Sequence, residues 1–391
     1  MGKPNSNKKN KDTREKSKVK SARSIVRIFY SYLLRFLPKQ RWLRITLLTI
    51  LAIVTLTVGS MYAVARWYIA DHANQPLQLG ASFIPAYAEK FGLDPQQTLD
   101  AMINDLGVKN IRMVSYWEDI EAEPGTYDFS QLDWQFAMAQ AGGAKVSLAI
   151  GLRQPRWPEC HSPEWANVRS DNMDEWYPKL ASFMTQVINR YKANPALDSY
   201  QLENEFFLTA FGECKDFSRE RLINEYNLVK GLDSSHKLIV SRSNNALGLP
   251  VGQPTPDEFG VSVYKRVWDA TVTHRYFEYP FPAWFYAFLA GGGKILTGKD
   301  MIIHELQAEP WPPLAEIVDS TTAELNKSLD ARRLKGRFDY GRATGIKSID
   351  LWGAEYWYYL KVMRGDSSLW DVARQEFTKA RADNTNMQAQ D

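Results

Sequence analysis

KVSLAIGLR (145–153) and LDSYQLENE (197–205) are two short apolar-rich runs separated by a long loop and an amphipathic stretch at about Glu175–Tyr191. Each run is nearly continuous in apolar residues and closes on polar ones, the pattern of a strand buried on both faces. Two such runs joined through a helix of period 3.6 make the βαβ unit of a parallel sheet.

The same alternation extends both ways. LQLGASF (77–83) and NIRMVSYW (110–117) precede the unit; KLIVSRSN (237–244), EFGVSVY (258–264), DMIIHELQAEPW (300–311) and SIDLWGAEYW (348–357) follow it. Helices are expected from Asp94, where Asp-Pro-Gln-Gln offers an N-cap and a proline at N1, and from Ser130 to Gly142-Gly143. Others are expected at about Ser218–Gly231, Thr321–Gly345 and Ser367–Ala380, with at best a weak helix in the Gly/Pro-rich stretch after the fifth run. Eight strands alternating with helices predict a closed (β/α)8 TIM barrel over residues 75–385. An open doubly wound sheet is the rival, but no Gly-rich phosphate turn follows the first run.

Charge divides the chain of 391 residues. Residues 1–44 carry fourteen Lys or Arg against Asp12 and Glu15, whereas the remainder carries 34 basic residues against 43 acidic. Ile45–Ala65 contains no charge and at 1.5 Å per residue reaches ~31 Å, enough to cross a hydrocarbon core. It predicts a single transmembrane helix over 45–66; a cleaved signal peptide is the alternative, with Ala63-Val64-Ala65 as its cleavage site. The basic tail would remain cytoplasmic and the acidic domain would face outward at the cell membrane. Ser24–Gln40 reads as an amphipathic helix on the inner leaflet or as an extension of the span. The lysines before it lack interleaved aromatic residues, which argues against nucleic acid. Residues 265–299 form an aromatic insertion, RYFEYPFPAWFYAFLAGGG at its centre (275–293), read as a lid or, through 276–290, as a second contact with membrane lipid.

Cys160 and Cys214 fall in loops after neighbouring strands three and four, at one end of the barrel, so a disulfide between them is expected. The five histidines are scattered and no metal-ligand spacing occurs; neither metal nor cofactor is expected.

Barrel enzymes carry their chemistry at the C-terminal ends of the strands. Run four ends Glu203-Asn204-Glu205, and Glu305 closes Met301-Ile302-Ile303-His304 in run seven. Across a barrel mouth, two carboxyls, one protonated and one ionised, suit the cleavage of a glycosidic bond. Either acid alone would read as an ion-paired strand end; Glu directly after Asn, with a second Glu on strand seven, makes the chemical reading the stronger. Glu309 rivals Glu305 but lies past the expected strand end, and Glu203 reads as an ion-paired neighbour. His304 should point away from Glu305 by strand alternation, and His161 reads as a satisfied loop residue. Trp117, Trp157, Trp165, Trp268, Trp311, Trp352 and Trp357 crowd the presumed mouth, where flat rings suit sugar faces, although most could equally fill the core.

Asn204-Glu205 and Glu305 together resemble the layout of the clan A glycoside hydrolases. YWEDIEAEPGTYDFSQLDWQFAMAQAGGAKVSLAI (116–150) looks like the strand-two to strand-three passage of their β-galactosidase-like members. The resemblance implies Glu205 as acid/base and Glu305 as nucleophile of a retaining O-glycosyl hydrolase. It also implies Arg112 and Tyr264 as supports of the nucleophile, Trp352 as the ring beneath the sugar, and Asn204 beside the acid/base; Trp117 is placed on the substrate side as one of the mouth aromatics. The chain departs from cellulase-like members at GLRQP (151–155) and Ser262-Val263-Tyr264, where those members carry histidines. The expected function is a membrane-anchored glycosidase that cleaves a β-linked polysaccharide or oligosaccharide by double displacement. A transglycosylase on the same site, and a non-catalytic glycan-binding barrel or membrane scaffold, are the alternatives.

Overall fold

The computed structural model describes residues 40–245, 248–249, 252–314 and 316–389. The predicted amphipathic helix at Ser24–Gln40 falls, but for its last residue, outside the described residues. Two compact units separate at Met61/Tyr62.

The elements run α1 (Arg41–Asp71), β1 (Gln78–Ser82), α2 (Pro85–Lys90), α3 (Pro95–Asp100, continued by a π turn to Leu106), β2 (Asn110–Val114), α4 (Trp117–Ile120), α5 (Ser130–Ala141), β3 (Lys145–Ile150), α6 (Met173–Tyr191), β4 (Leu197–Leu202) and α7 (Arg219–Leu232). They continue β5 (Lys237–Arg242), β6 (Glu258–Val263), β7 (Arg266–Asp269), β8 (Arg275–Glu278), α8 (Ala283–Thr297), β9 (Asp300–Gln307), α9 (Thr322–Leu325), α10 (Ala331–Ala343), β10 (Ser348–Trp352), α11 (Ala354–Met363) and α12 (Ser368–Gln388).

Eight parallel strands close a barrel in the order β1-β2-β3-β4-β5-β6-β9-β10, while β7 and β8 form a separate antiparallel hairpin. The expected (β/α)8 barrel is therefore the fold. Local chemistry sets its helix starts: Asp94 accepts from the Gln97 amide, Asn172 from Asp174, Ser218 from Arg221 and Asp330 from Arg333. The Asp330 cap starts α10 afresh, so the single helix expected over Thr321–Gly345 is two. None of the described residues between β5 and β6 is helical.

The stretch taken as an insertion is two elements. The β7–β8 hairpin stands after strand six, and α8 is the helix connecting strand six to strand seven. Its aromatic content is used in packing: Tyr286, Ala287, Leu289 and Ala290 are buried, and Trp284, Phe285 and Phe288 are half-buried against the core. In α1, which is long and apolar enough to cross a membrane, the last turns carry the buried residues Ala65 and Tyr68.

β1 is held closely between its neighbours at Gly80. A methyl group there would overlap the Asp350 carboxylate and stand 2.7 Å from the Asn110 carbonyl oxygen, which is backbone and cannot swing away. Gly80→Ala should destabilise the barrel by about 1–3 kcal/mol through overpacking, lowering Tm by roughly 3–8 °C. Thermal unfolding of both proteins checks this; an unchanged Tm contradicts it.

Candidate active site

β4 ends at Leu202, and the next residues leave the extended conformation: φ is 56° at Glu203 and 43° at Glu205. A left-handed φ at a residue with a Cβ costs about 1 kcal/mol or more and persists only where surroundings enforce it. Here the Glu203 carboxylate accepts from the Leu152 amide at 2.6 Å and the Arg153 amide at 3.1 Å. It also pairs with fully buried Arg221 at 2.9 Å. The Asn204 amide donates to the Arg153 carbonyl at 2.7 Å and the Glu205 amide to Ser241 Oγ at 2.9 Å. Glu203 is thus an ion-paired clamp, and the clamp presents Asn204 and Glu205.

Arg112, on β2, organises the opposite side. Its Nη1 donates to Glu305 Oε1 at 2.6 Å, Nη2 to Asn204 Oδ1 at 2.8 Å, and Nε to Gln201 Oε1 at 2.6 Å. The second carboxylate oxygen of Glu305 accepts from the Tyr264 hydroxyl at 2.9 Å. Burial, then the Glu305 charge, holds that phenol far above its ordinary pKa, so it remains a donor.

Glu305 reaches this position through a bulge. The β6–β9 register shifts between Val261–Ile303 and Ser262–Glu305, and the β9–β10 register shifts over the same residues. The extra residue, His304, breaks the strand's alternation. Its ring consequently faces the barrel interior beneath Glu305, against Gly260 and 3.9 Å from Asp350. The expectation that the two residues point to opposite sides fails for that reason. Burial, then Arg112, pushes the His304 pKa well below its ordinary value, so the ring is neutral.

Glu205 is 5% exposed, and its Oε1 has no hydrogen-bond partner among the described residues. Burial first, and the Glu305 charge second, raise its pKa to about 7. A third carboxyl, Glu159, accepts from Asn204 Nδ2 at 2.9 Å and lies 3.3 Å from Arg153. Burial drives it well above the usual range.

Trp352 is 4% exposed and donates its indole N–H to Glu309 Oε1 at 2.9 Å. Arg156 grips Glu309 with two hydrogen bonds, 3.0 and 2.9 Å, and lies over the Trp352 ring. Glu309 therefore lies beyond the end of β9 and holds the indole in place; Arg112 and Tyr264 hold Glu305. Trp117 is placed elsewhere. It is fully buried, opens α4 rather than ending a strand, stacks on Phe183 and donates to Glu121, so it fills the core and faces no cleft. Cys160 and Cys214 are joined as a disulfide, Cα–Cα 5.1 Å, linking the loops after β3 and β4. Sequence reasoning missed Arg156, Glu159 and Gln201. Arg156 and Glu159 lie in the polar loop after β3, which indicates the mouth but not the partners, and Gln201 sits inside β4, where no local pattern marks it.

The model of the β-galactosidase family of glycoside hydrolases 42 matches residues 95–239. β-Galactosidase BbgII of Bifidobacterium bifidum is 28% identical over 153 residues, 34% of this chain and 22% of that protein. β-Galactosidase BgaH of Haloferax lucentense is 25% identical over 182 residues, 41% of this chain and 27% of that one. The matches thus span about a quarter of those relatives' length. Among solved structures, a β-galactosidase from Halorubrum lacusprofundi superposes with a TM-score of 0.51 at 16% identity, covering 77% of this chain and 58% of its own. An exo-β-1,4-mannosidase from Opitutaceae bacterium strain TAV5 gives 0.52 at 16% identity, covering 80% and 60%. The fold is shared with both, and the resemblance to clan A barrels holds.

Because burial contributes more than charge to the Glu205 shift, removing the charge should leave part of it. In Glu305→Gln, the Glu205 carboxyl should titrate below 7 yet above an ordinary glutamate, followed by 13C NMR of δ-labelled glutamate. A Glu205 pKa unmoved by the substitution contradicts the coupling.

Proposed function

We propose that the chain is a membrane-anchored retaining glycosidase that cleaves a β-linked glycan, with Glu205 as acid/base and Glu305 as nucleophile. The observation that carries this reading is the contrast between the two carboxyls. Glu305 is held by a cation and a phenol at both oxygens, whereas Glu205 is buried, coupled to that charge and raised to about 7. A raised acid beside a carboxyl held by donors at both oxygens is what a double displacement requires.

In the first step the Glu305 carboxylate attacks the anomeric carbon while Glu205 gives its proton to the departing oxygen. The developing positive charge on the sugar is met by the Glu305 carboxylate itself. In the second step Glu205, now ionised, takes a proton from water, and that water displaces Glu305 with the original configuration restored. Arg112 and Tyr264 aim Glu305 by donating to its two carboxylate oxygens, a task that favours reaction by fixing its geometry before it is needed. The Trp352 ring, locked by Glu309 and overlain by Arg156, stands at the end of β10, where it would border the sugar. α1 anchors the enzyme, with the basic tail on the cytoplasmic side and the barrel outside.

Since Glu205 must start protonated, kcat/KM should fall as pH rises through about 7. The two carboxyls should also respond differently to truncation. Glu305→Ala should lose turnover of every substrate, by roughly a factor of 10⁴ or more. Glu205→Ala should retain the first step for aryl glycosides with acidic leaving groups, and azide should restore turnover as a glycosyl azide of retained configuration. Near-normal activity in Glu305→Ala, or an inverted product from the unaltered protein, rejects the assignment.

A further inference from the structure

The loops after β3 and β4 form a lobe whose aromatic residues are unused by the chemistry above. The Trp157 side chain is 62% exposed, although its neighbours in the chain are fixed. The Cys160–Cys214 disulfide ties the two loops, the Glu213 amide donates to the Pro158 carbonyl at 2.9 Å, and buried Arg153 donates to the Phe211 carbonyl at 2.8 Å. An exposed indole on a rigid support has already lost the freedom that binding would otherwise remove.

Trp157 also begins a connected series of rings. It meets Phe211 edge to face at 5.6 Å, Phe211 lies 6.5 Å from Trp311, and Trp311 meets Tyr264 edge to face at 5.5 Å. Tyr264 bonds Glu305. The series therefore leads from the nucleophile outward. It does so on the side of Glu205, because Phe211 belongs to the loop that Glu205 begins. That is the side from which the proton is delivered, hence the side of the leaving group.

We infer that Trp157, Phe211 and Trp311 form a subsite for the leaving-group portion of an extended glycan, with a pyranose C–H face lying on Trp157. This rests on the glycosidase reading. A sugar is favoured over an acyl chain because polar groups border the rings. Glu213, two residues after Phe211 in the same loop, pairs with Arg169, and the Tyr279 hydroxyl donates to Asn245 in the segment after β5. Alternating apolar faces and hydrogen-bonding edges match a hydroxylated ring, which needs both.

The test compares substrates that do and do not fill the subsite. The full chain, reconstituted with its anchor, is assayed on β-galactosyl, β-glucosyl and β-mannosyl fluorides and on the β-1,4-linked tetrasaccharide of each sugar. Fluoride leaves the subsite vacant. In Trp157→Ala the ratio of kcat/KM for the tetrasaccharide over that for the fluoride should fall about tenfold, the ratio that ~1.4 kcal/mol of lost contact produces. Trp157→Phe should recover most of it, and Phe211→Ala should lower the ratio in the same direction. An unchanged ratio in both alanine variants overturns the subsite while leaving the glycosidase reading intact. A loss confined to octyl or dodecyl β-glycosides overturns the sugar assignment in favour of a lipid leaving group. Absence of turnover of all three fluorides by the unaltered chain rejects the glycosidase reading, and the subsite with it.

Discussion

Arg112 brings a full positive charge into the barrel with 1% of its side chain exposed, and a buried charge is tolerated only when its donors are satisfied. Its donors reach β4 through Gln201, the turn after β4 through Asn204, and β9 through Glu305. The same contacts that satisfy the cation fix the positions of the site. Replacing it by a neutral residue would leave Glu305 as an unpaired buried carboxylate facing Glu205, the arrangement that makes removal of one partner of a buried pair so costly. A lysine would retain the charge but could not aim three donors in one plane at two strands and the turn after β4.

The second constraint is conformational. Glu205 is presented by a turn with left-handed backbone at Glu203 and Glu205, and its neighbours on the β3 loop, Arg156 and Glu159, are also left-handed, at φ 83° and 71°. Four such residues in two adjoining loops concentrate strain at the mouth, and the ion pair of Glu203 with Arg221 is one of the forces holding them there. Glu205 thereby loses water without gaining a compensating cation of its own, which is why its proton is retained to about 7. Strain in the turn thus accompanies a carboxyl in the protonation state that the proposed first step would need.

The barrel was legible because its strands are buried on both faces and so appear as nearly continuous apolar runs, each closed by polar residues. Glu205 and Glu305 were legible because those polar residues are the mouth. Other features depend on contacts that no local pattern records. α8 was hidden by Pro280, Pro282 and the Gly291-Gly292-Gly293 run, which disfavours a helix by propensity. The structure explains two of those glycines: a Cβ at Gly291 would stand 3.0 Å from the Tyr68 Cβ, and one at Gly292 2.7 Å from Leu249. Close packing selected them over helix propensity. His304 was misplaced because a one-residue bulge cannot be read from alternation, and Trp117 because a buried aromatic and a cleft aromatic look alike in sequence. The Arg156–Glu309–Trp352 group joins three distant segments and exists only once the barrel has closed.

In the proposed mechanism Glu305 becomes covalently bonded to the sugar. Incubation with 2-deoxy-2-fluoro glycosyl fluorides of galactose, glucose and mannose slows hydrolysis of such a bond more than its formation, and peptide mass spectrometry then locates the adduct. The expected result is a single modification on Glu305, absent from Glu305→Gln and released with return of activity when an acceptor sugar is added. An adduct on Glu309, or no adduct together with a product of inverted configuration, would contradict it.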